Sequence, residues 1–261
     1  MKHWRLVSLL LVVVLLTTMV ASCKPKPKNE LEKIMDAGKI VVGTSADYPP
    51  FEFINDNNEF DGFDIALMNE IAKRMGVEVE WQDISFDGLI GALKAGKIDA
   101  IIAAMTATPE RDQEVDFTIP YLEGADAVLV AEDSDIVINN LEDMGKYKIG
   151  VQSGTIHEQW VDEHLPDAQV SRYERADQAI MDLKSGRIDV VVMDYYAALD
   201  YIKEGGIKMA LKTDLSGEAL AIAVPEGATE LKAKLDEIIT QLKEEGFIEE
   251  LAVKYHVGGE N

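Results

Sequence analysis

Apolar residues recur at helical spacing along FDIALMNEIAKRMG (63–76), where Ile65, Met68, Ile71, Ala72 and Met75 share one face. VEVEWQ (77–82) follows and predicts a strand. The same change of period then occurs twice. DGLIGALKAGKIDAIIAA (87–104) aligns without gaps onto DQAIMDLKSGRIDVVVMD (177–194). Asp87, Ile90, Leu93, Lys94, Gly96, Ile98 and Asp99 recur as Asp177, Ile180, Leu183, Lys184, Gly186, Ile188 and Asp189. Each copy reads as an amphipathic helix, a glycine C-cap and a buried strand. A second echo sets KIVVGTSADYPPF (39–51) beside KIGVQSGTIHEQW (148–160), each a short apolar strand running into a turn. Beyond the second repeat, LAIAV (220–224) predicts a strand, and 229–245 and 247–256 predict two amphipathic helices. These have no counterpart after the first repeat and are expected to pack back on the first half.

Strand, helix, strand, helix, strand, written twice, predicts two α/β lobes with mostly parallel sheets. Such sheets bind ligands beyond the carboxyl ends of their strands. That rule nominates four turns, after strands expected at 40–44, 98–104, 148–152 and 188–193, holding SADYPPFE, AMTATPER, QSGT and MDYY. Facing lobes would bring them to one cleft.

Composition narrows the partners. With 48 acidic against 25 basic residues and a net charge of −23, the chain is unsuited to nucleic acid or an anionic lipid surface. The first 22 residues stand apart: Lys2 and Arg5 precede a 15-residue apolar run (6–20), short for a membrane span and suited to a signal peptide. Val20-Ala21-Ser22-Cys23 resembles the lipobox of bacterial lipoprotein precursors, and Cys23 is the single cysteine of the chain. Lipidation at Cys23 is therefore expected, with residues 23–29, rich in Lys and Pro, as an extended tether. A lone cysteine forms no disulfide framework.

The four turns carry complementary chemistry. In AMTATPER, Thr108 is placed to cap a helix that starts at Pro109, and Arg111 falls in its first turn. A cation there is unfavourable unless an anion joins it. Arg111 and the Thr106 hydroxyl could hold a carboxylate, or Arg111 could pair with Asp112 or Glu114. QSGT offers Gly154 and Thr155 as a second donor turn. Asp194 ends an apolar strand and needs a partner: a ligand ammonium, a lysine or a backbone N–H. SADYPPFE adds Tyr48, Phe51, Asp47 and Glu52, and Phe86 stands just before the first repeat. Carboxylate donors on one lobe and an acid on the other are the complement of an α-amino acid. The four histidines, at 3, 157, 164 and 256, show no metal-ligand spacing, and no cofactor motif occurs. No metal and no cofactor is expected.

These motifs, GTSADYPPFEF, GFDIALMNEIAKRMG, DGLIGALKAGKIDAIIAAMTATPER, VDFTIPY, GVQSGT and IDVVVMD, resemble the bacterial solute-binding proteins of the polar amino acid type (family 3). The resemblance covers about residues 30 to 256 and implies a periplasmic binding protein-like fold of type II. That fold has two Rossmann-like lobes joined by a two-segment hinge near 122–126 and 215–219. Lobe one would comprise 30–121 with 220–261, and lobe two 122–219. It implies that Arg111, Thr106 and Thr155 hold the ligand carboxylate, and that Asp194 and the Ala104 carbonyl hold the ammonium. Tyr48 and Phe86 would sandwich the side chain, with Ser45 and Gln152 lining the pocket. Some relatives that bind basic amino acids carry an acid where Ser45 stands. SADYPPFE still resembles arginine binders, with Glu52 beside the two rings to meet a guanidinium. Arginine is the favoured free L-amino acid, followed by lysine and glutamine.

The implied role is a monomeric substrate-binding lipoprotein serving an ATP-driven permease, exported and anchored at the outer face of the cytoplasmic membrane or in the periplasm. Two other readings share the fold. Cyclohexadienyl dehydratases carry a general acid just past the position of Asp194, where this chain has Tyr195-Tyr196-Ala197-Ala198, so no catalysis is expected. A receptor-linked sensor domain would be fused to a membrane helix and a signalling module, and the chain ends at YHVGGEN with neither.

Overall fold

The computed structural model describes residues 28–215 and 219–258. The expected signal, Cys23 and most of the tether lie outside them, as do 216–218 of the second crossing segment.

Asn29 caps the first helix, α1 (Glu30–Ala37), in a capping box with Glu32, and Gly38 ends it with φ 68°. β1 (Lys39–Thr44) follows, buried at Ile40 and Val42. A small hairpin sheet, β2 (Asp47–Tyr48), β3 (Glu52–Ile54) and β4 (Phe60–Asp61), leads into α2 (Phe63–Met75), and β5 (Glu78–Asp83) comes next. The first repeat supplies α3 (Leu89–Lys94) and β6 (Ala100–Ile101), and β7 (Val115–Phe117) lies beyond it. β8 (Leu122–Glu123) starts the passage to the second half, which opens with β9 (Asp126–Ala131).

The second half repeats the plan with β10 (Lys148–Gln152), α4 (Ile156–His164), β11 (Gln169–Tyr173), α5 (Ala176–Lys184) and β12 (Val190–Asp194). α6 (Tyr195–Lys203) and β13 (Ile207–Thr213) complete it. The chain returns through β14 (Ala219–Leu220) and β15 (Ala223–Pro225), then α7 (Thr229–Glu244) and α8 (Phe247–Tyr255). α7 packs on α1 and α2, and α8 on α2, so the terminal helices cover the first half as expected.

The two main sheets run β5-β1-β6-β15-β7 and β11-β10-β12-β9-β13. In each the first three strands are parallel, and the fourth is antiparallel to both of its neighbours. The repeated aspartates explain the match. Asp99 Oδ2 accepts the Val41 N–H (2.8 Å) while its own N–H donates to Val41 O (2.7 Å). Asp189 does the same to Lys148, at 2.8 and 2.9 Å. Val41 therefore corresponds to Lys148, and Gly43 to Gly150, so the second echo is shifted by two residues from its ungapped alignment. The reason is geometric: the aspartate fixes strand register, whereas similarity of two short apolar strings does not.

Three expected elements are altered. The strand at 98–104 forms a ladder only at Ala100–Ile101, and Ala104 leaves it with φ 44°. The strand at 220–224 divides into β14, paired with β8, and β15 in the first sheet. The helix expected from Pro109 is a single 3-10 turn, Arg111–Gln113, because the buried strand β7 begins two residues later. Glu110, not Thr108, stands at the N-cap of that turn, although Thr108 Oγ1 accepts the Arg111 N–H at 3.3 Å.

Candidate functional site

A cavity lies between the two main sheets, and all ten ligand-contact residues nominated from sequence line it: Ser45, Tyr48, Glu52, Phe86, Ala104, Thr106, Arg111, Gln152, Thr155 and Asp194. Seven come from the first half, and Gln152, Thr155 and Asp194 come from the second, at or just beyond the ends of β10 and β12. Arg111 follows β6 at the first half's edge of the cavity. Ala103, Ile156 and His157 complete the wall and were not nominated.

Arg111 spans the two halves. Its guanidinium donates to Thr106 O (2.7 Å) in the first half and to Gly154 O (2.9 Å) in the second, and lies 5.3 Å from the centre of the Phe86 ring. Glu114, one of the alternative partners, is ion-paired with Lys94 (2.6 Å). Two carbonyls anchor the planar guanidinium at the cavity wall, and a guanidinium is the side chain best suited to a carboxylate. Gly154 also lets the second half approach Asp87 of the first: its φ is 79°, and a Cβ there would lie 2.8 Å from Asp87 Cα. Thr155 caps α4, its hydroxyl donating to Gln152 O (2.8 Å) and accepting the Glu158 N–H (3.2 Å). What Thr155 presents to an anion is thus its backbone N–H at a helix N-terminus rather than its hydroxyl.

At the other wall Asp194 is partly buried. Its Oδ2 accepts from the Tyr48 hydroxyl (2.5 Å), and that same oxygen of Tyr48 accepts the Asp194 N–H (3.0 Å). Burial raises the Asp194 pKa above the ordinary carboxylate range, against the opposing pull of His157. Burial and the Asp194 charge push the Tyr48 phenol well above its usual value, so it stays a donor. His157 is buried and donates to Asp126 Oδ1 (2.7 Å), while Asp126 Oδ2 accepts the Leu215 N–H (2.8 Å). Burial works against the imidazolium, but Asp126 prevails and the His157 pKa sits above its ordinary value. Although the histidines lack metal-ligand spacing in sequence, Asp126, His157 and Asp194 bring ligand atoms within 4.8 Å of one another. Each has a hydrogen-bond partner in the protein, which accounts for the cluster without an ion.

A second set of contacts ties the halves together beside the cavity. Asp47 is buried; its Oδ2 accepts the Ala176 N–H (2.6 Å) at the start of α5, and its Oδ1 accepts from Ser45 (2.7 Å) and Arg175 (3.5 Å). Arg175 also pairs with Asp83 (2.8 Å), Gln152 reaches Asp47 at 3.5 Å, and the Tyr201 hydroxyl donates to Asp47 O (2.6 Å). Burial raises the Asp47 pKa, but Ser45, the α5 N-terminus and Arg175 all favour its ionised form. Arg175 in YERADQ and Tyr201 carry no local signal that would have nominated them.

Two α/β lobes with a cavity of opposite charges between them define a two-lobed ligand-binding protein of the type II periplasmic binding fold. The chain belongs to the bacterial extracellular solute-binding proteins, family 3, whose model matches residues 40–258. It is 35% identical over 221 residues to ABC transporter arginine-binding protein 1 of Escherichia coli (strain K12), covering 83% of this chain and 90% of that one. An ancestral arginine-binding protein bound to arginine superposes with a TM-score of 0.80 at 42% identity, over 84% of this chain and 98% of its own. An ancestral amino acid-binding protein, described as a precursor of cyclohexadienyl dehydratase, gives a TM-score of 0.80 at 37% identity, over 86% and 98% of the two chains. Among the described residues no helix is long and apolar enough to cross a membrane.

Proposed function

We propose that the cavity binds a free L-α-amino acid, arginine first and lysine or glutamine next, for delivery to an ATP-driven permease. The observation that carries this reading is the separation of charge across one cavity: Arg111 and the Thr155 N–H face one end, Asp194 the other. An α-amino acid satisfies both ends at once, its carboxylate on Arg111, Thr106 and Thr155, its ammonium on Asp194 and Ala104 O. Tyr48 and Phe86 flank the side chain, with Ser45, Glu52 and Gln152 lining its path. The arginine-bound ancestral protein and the Escherichia coli arginine-binding protein support arginine as the first ligand to test.

In this reading lobe one is 30–121 with 220–261 and lobe two is 122–219. The lobes close by rotation about the paired crossings at 122–126 and 215–219, and Asp47, Arg175 and Tyr201 latch the closed form. Export under the signal at 1–22, lipid attachment at Cys23 and a monomeric state belong to the same proposal. So does binding without catalysis: α6 starts at Tyr195, and no acid stands in the four residues after Asp194.

A thermal-shift screen of the protein against the twenty amino acids tests the reading. A ligand at about a hundredfold excess over its Kd stabilises the folded state by about 2.7 kcal/mol, enough to raise the melting temperature by several degrees. A rise with arginine is expected. No response to any amino acid removes the reading, and a response to glutamine without arginine reassigns the ligand.

A further inference from the structure

At the ammonium end of the cavity lie two carboxyl groups that neither charged end of the proposed ligand engages. Glu52, on β3, is 1% exposed, and Asp64, in the first turn of α2, is 0% exposed. They stand within hydrogen-bonding reach of each other. Their surroundings differ in one decisive respect. Asp64 Oδ2 accepts the Ala104 N–H (2.7 Å) and the Tyr121 hydroxyl (2.8 Å), and the carboxyl sits at a helix N-terminus, where negative charge is favoured. Among the described residues no N–H or O–H of another group donates to the Glu52 carboxyl. Its Oε2 and the Oδ1 of Asp64 are buried oxygens that no other donor reaches.

The groups facing Glu52 make a second charge there untenable. Asp64 approaches it from α2, Asp47 from β2 and Asp194 from β12, and the neutral phenols of Tyr48 and Tyr121 complete the enclosure. The nearby cations are otherwise engaged: Arg175 with Asp47 and Asp83, His157 with Asp126, and Arg111 with Thr106 O and Gly154 O. Burial and the Asp64 charge hold the Glu52 pKa well above the usual carboxylate range. Burial also raises Asp64, to about 7, with its two donors pulling it down. Two carboxyls in one dry site share one proton. Since Asp64 has the donors and Glu52 has none, the proton resides on Glu52.

We propose that Glu52 serves as an uncharged carboxylic acid whose O–H donates a hydrogen bond to the Asp64 carboxylate, and that this pair holds Ala104 in place at the cavity wall. Ala104 has φ 44°, a left-handed conformation that is costly for a residue with a Cβ and persists only when the surroundings impose it. The Asp64 carboxylate on its N–H is the imposing contact, and the Glu52 proton keeps that carboxylate oriented. Glu52 is then a positioning group and not the anion that meets a ligand guanidinium, in contrast to what its place beside Tyr48 and Phe86 implies by resemblance. Only the ligand arm of the test rests on the amino-acid reading; the proton itself is independent of it.

The test combines infrared spectroscopy and binding on the full chain. At neutral pH the wild type is expected to show a protonated-carboxyl C=O stretch that shifts down in D2O and is absent in Glu52→Gln. The amide of Glu52→Gln can still donate to Asp64, so arginine and glutamine affinities should move in parallel, their ratio staying within about threefold of wild type. Asp64→Ala, which strands the Ala104 N–H and the Tyr121 hydroxyl, should weaken both ligands by at least about tenfold. The proposal is overturned if the acid stretch is missing from wild type or survives in Glu52→Gln. It is equally overturned if Glu52→Gln loses arginine by more than about tenfold while glutamine is unaffected, since Glu52 would then be an ionised guanidinium partner. Failure of wild type to bind any amino acid would remove the ligand reading, while the infrared arm would still decide where the proton lies.

Discussion

The two lobes share a scaffold and differ at its edges. In both, an aspartate just ahead of the strand in the helix-glycine-strand repeat pins the first strand of a parallel pair, β1 beside β6 and β10 beside β12, through a matched pair of hydrogen bonds, Asp99 on Val41 and Asp189 on Lys148. In both, a glycine in that first strand gives room to the isoleucine of the repeat: a Cβ on Gly43 would lie 2.5 Å from Ile98 Cδ1, and one on Gly150 2.4 Å from Ile188 Cδ1. Beyond the strand ends the likeness stops. After β6 the chain turns through left-handed Ala104 into a loop that presents Arg111, whereas after β12 Asp194 leads directly into α6. Ala104 and Asp194 occupy the same place in the repeat, yet one offers a backbone carbonyl and the other a carboxylate. A duplicated scaffold thus supplies two rigid rims, and a few residues at each rim set the opposite charges proposed to meet the two ends of one ligand.

The largest way to break that comparison is at the acid rim. Asp194→Ala should weaken arginine binding by about 2–5 kcal/mol, measured by titration calorimetry, because an ammonium would be left buried against a carbonyl alone. If the loss is negligible, the ammonium lies elsewhere. A smaller effect is expected at the latch. Asp47→Ala removes the acceptor for the α5 N-terminus, Ser45 and Arg175, and should cost about 1–3 kcal/mol in affinity, with small-angle scattering reporting a less compact ligand-bound form. An unchanged scattering profile would show that these contacts follow closure without stabilising it.

The shared scaffold makes a paired prediction. Gly43→Ala and Gly150→Ala should each lower stability by about 1–3 kcal/mol in thermal or denaturant melts, since each Cβ drives an isoleucine out of a packed site. A large effect in one lobe with none in the other would mean that only one repeat is closely packed. The smallest effect concerns pH. The folded-state pKa of His157 lies above the ordinary imidazole value of 6.5, so its stabilising contribution is complete below that value and is lost as pH rises through the higher folded-state value. The melting temperature of wild type should therefore fall more between mildly acidic and mildly alkaline buffer than that of His157→Gln. Equal slopes would show that the His157–Asp126 pair carries no charge-dependent stability.

Much of this was legible in the sequence because the repeat fixes strand ends, and strand ends fix the site. Ser45, Thr106, Gln152 and Asp194 each follow a buried strand whose apolar run is unmistakable, so their meeting in one cavity follows from topology. What was not legible depends on contacts between distant segments. The Asp47–Arg175–Tyr201 latch joins residues more than a hundred positions apart, and leaves no periodic trace. Ile156 and His157 enter the cavity because α4 starts at the cleft, and a capped helix start does not announce which of its residues face inward. The helix expected at Arg111 is a single turn, too short to carry the macrodipole of a full helix, and two carbonyls hold the guanidinium in its place.

Arg111 is proposed to hold the carboxylate of a ligand whose ammonium lies at Asp194. Titration calorimetry of wild type and Arg111→Ala with arginine and with agmatine, its decarboxylated analogue, addresses it directly. Wild type should bind arginine far more tightly than agmatine, and Arg111→Ala should lose about 2–5 kcal/mol of arginine affinity and with it most of that discrimination. Arginine binding by Arg111→Ala as tight as that of wild type would contradict the account.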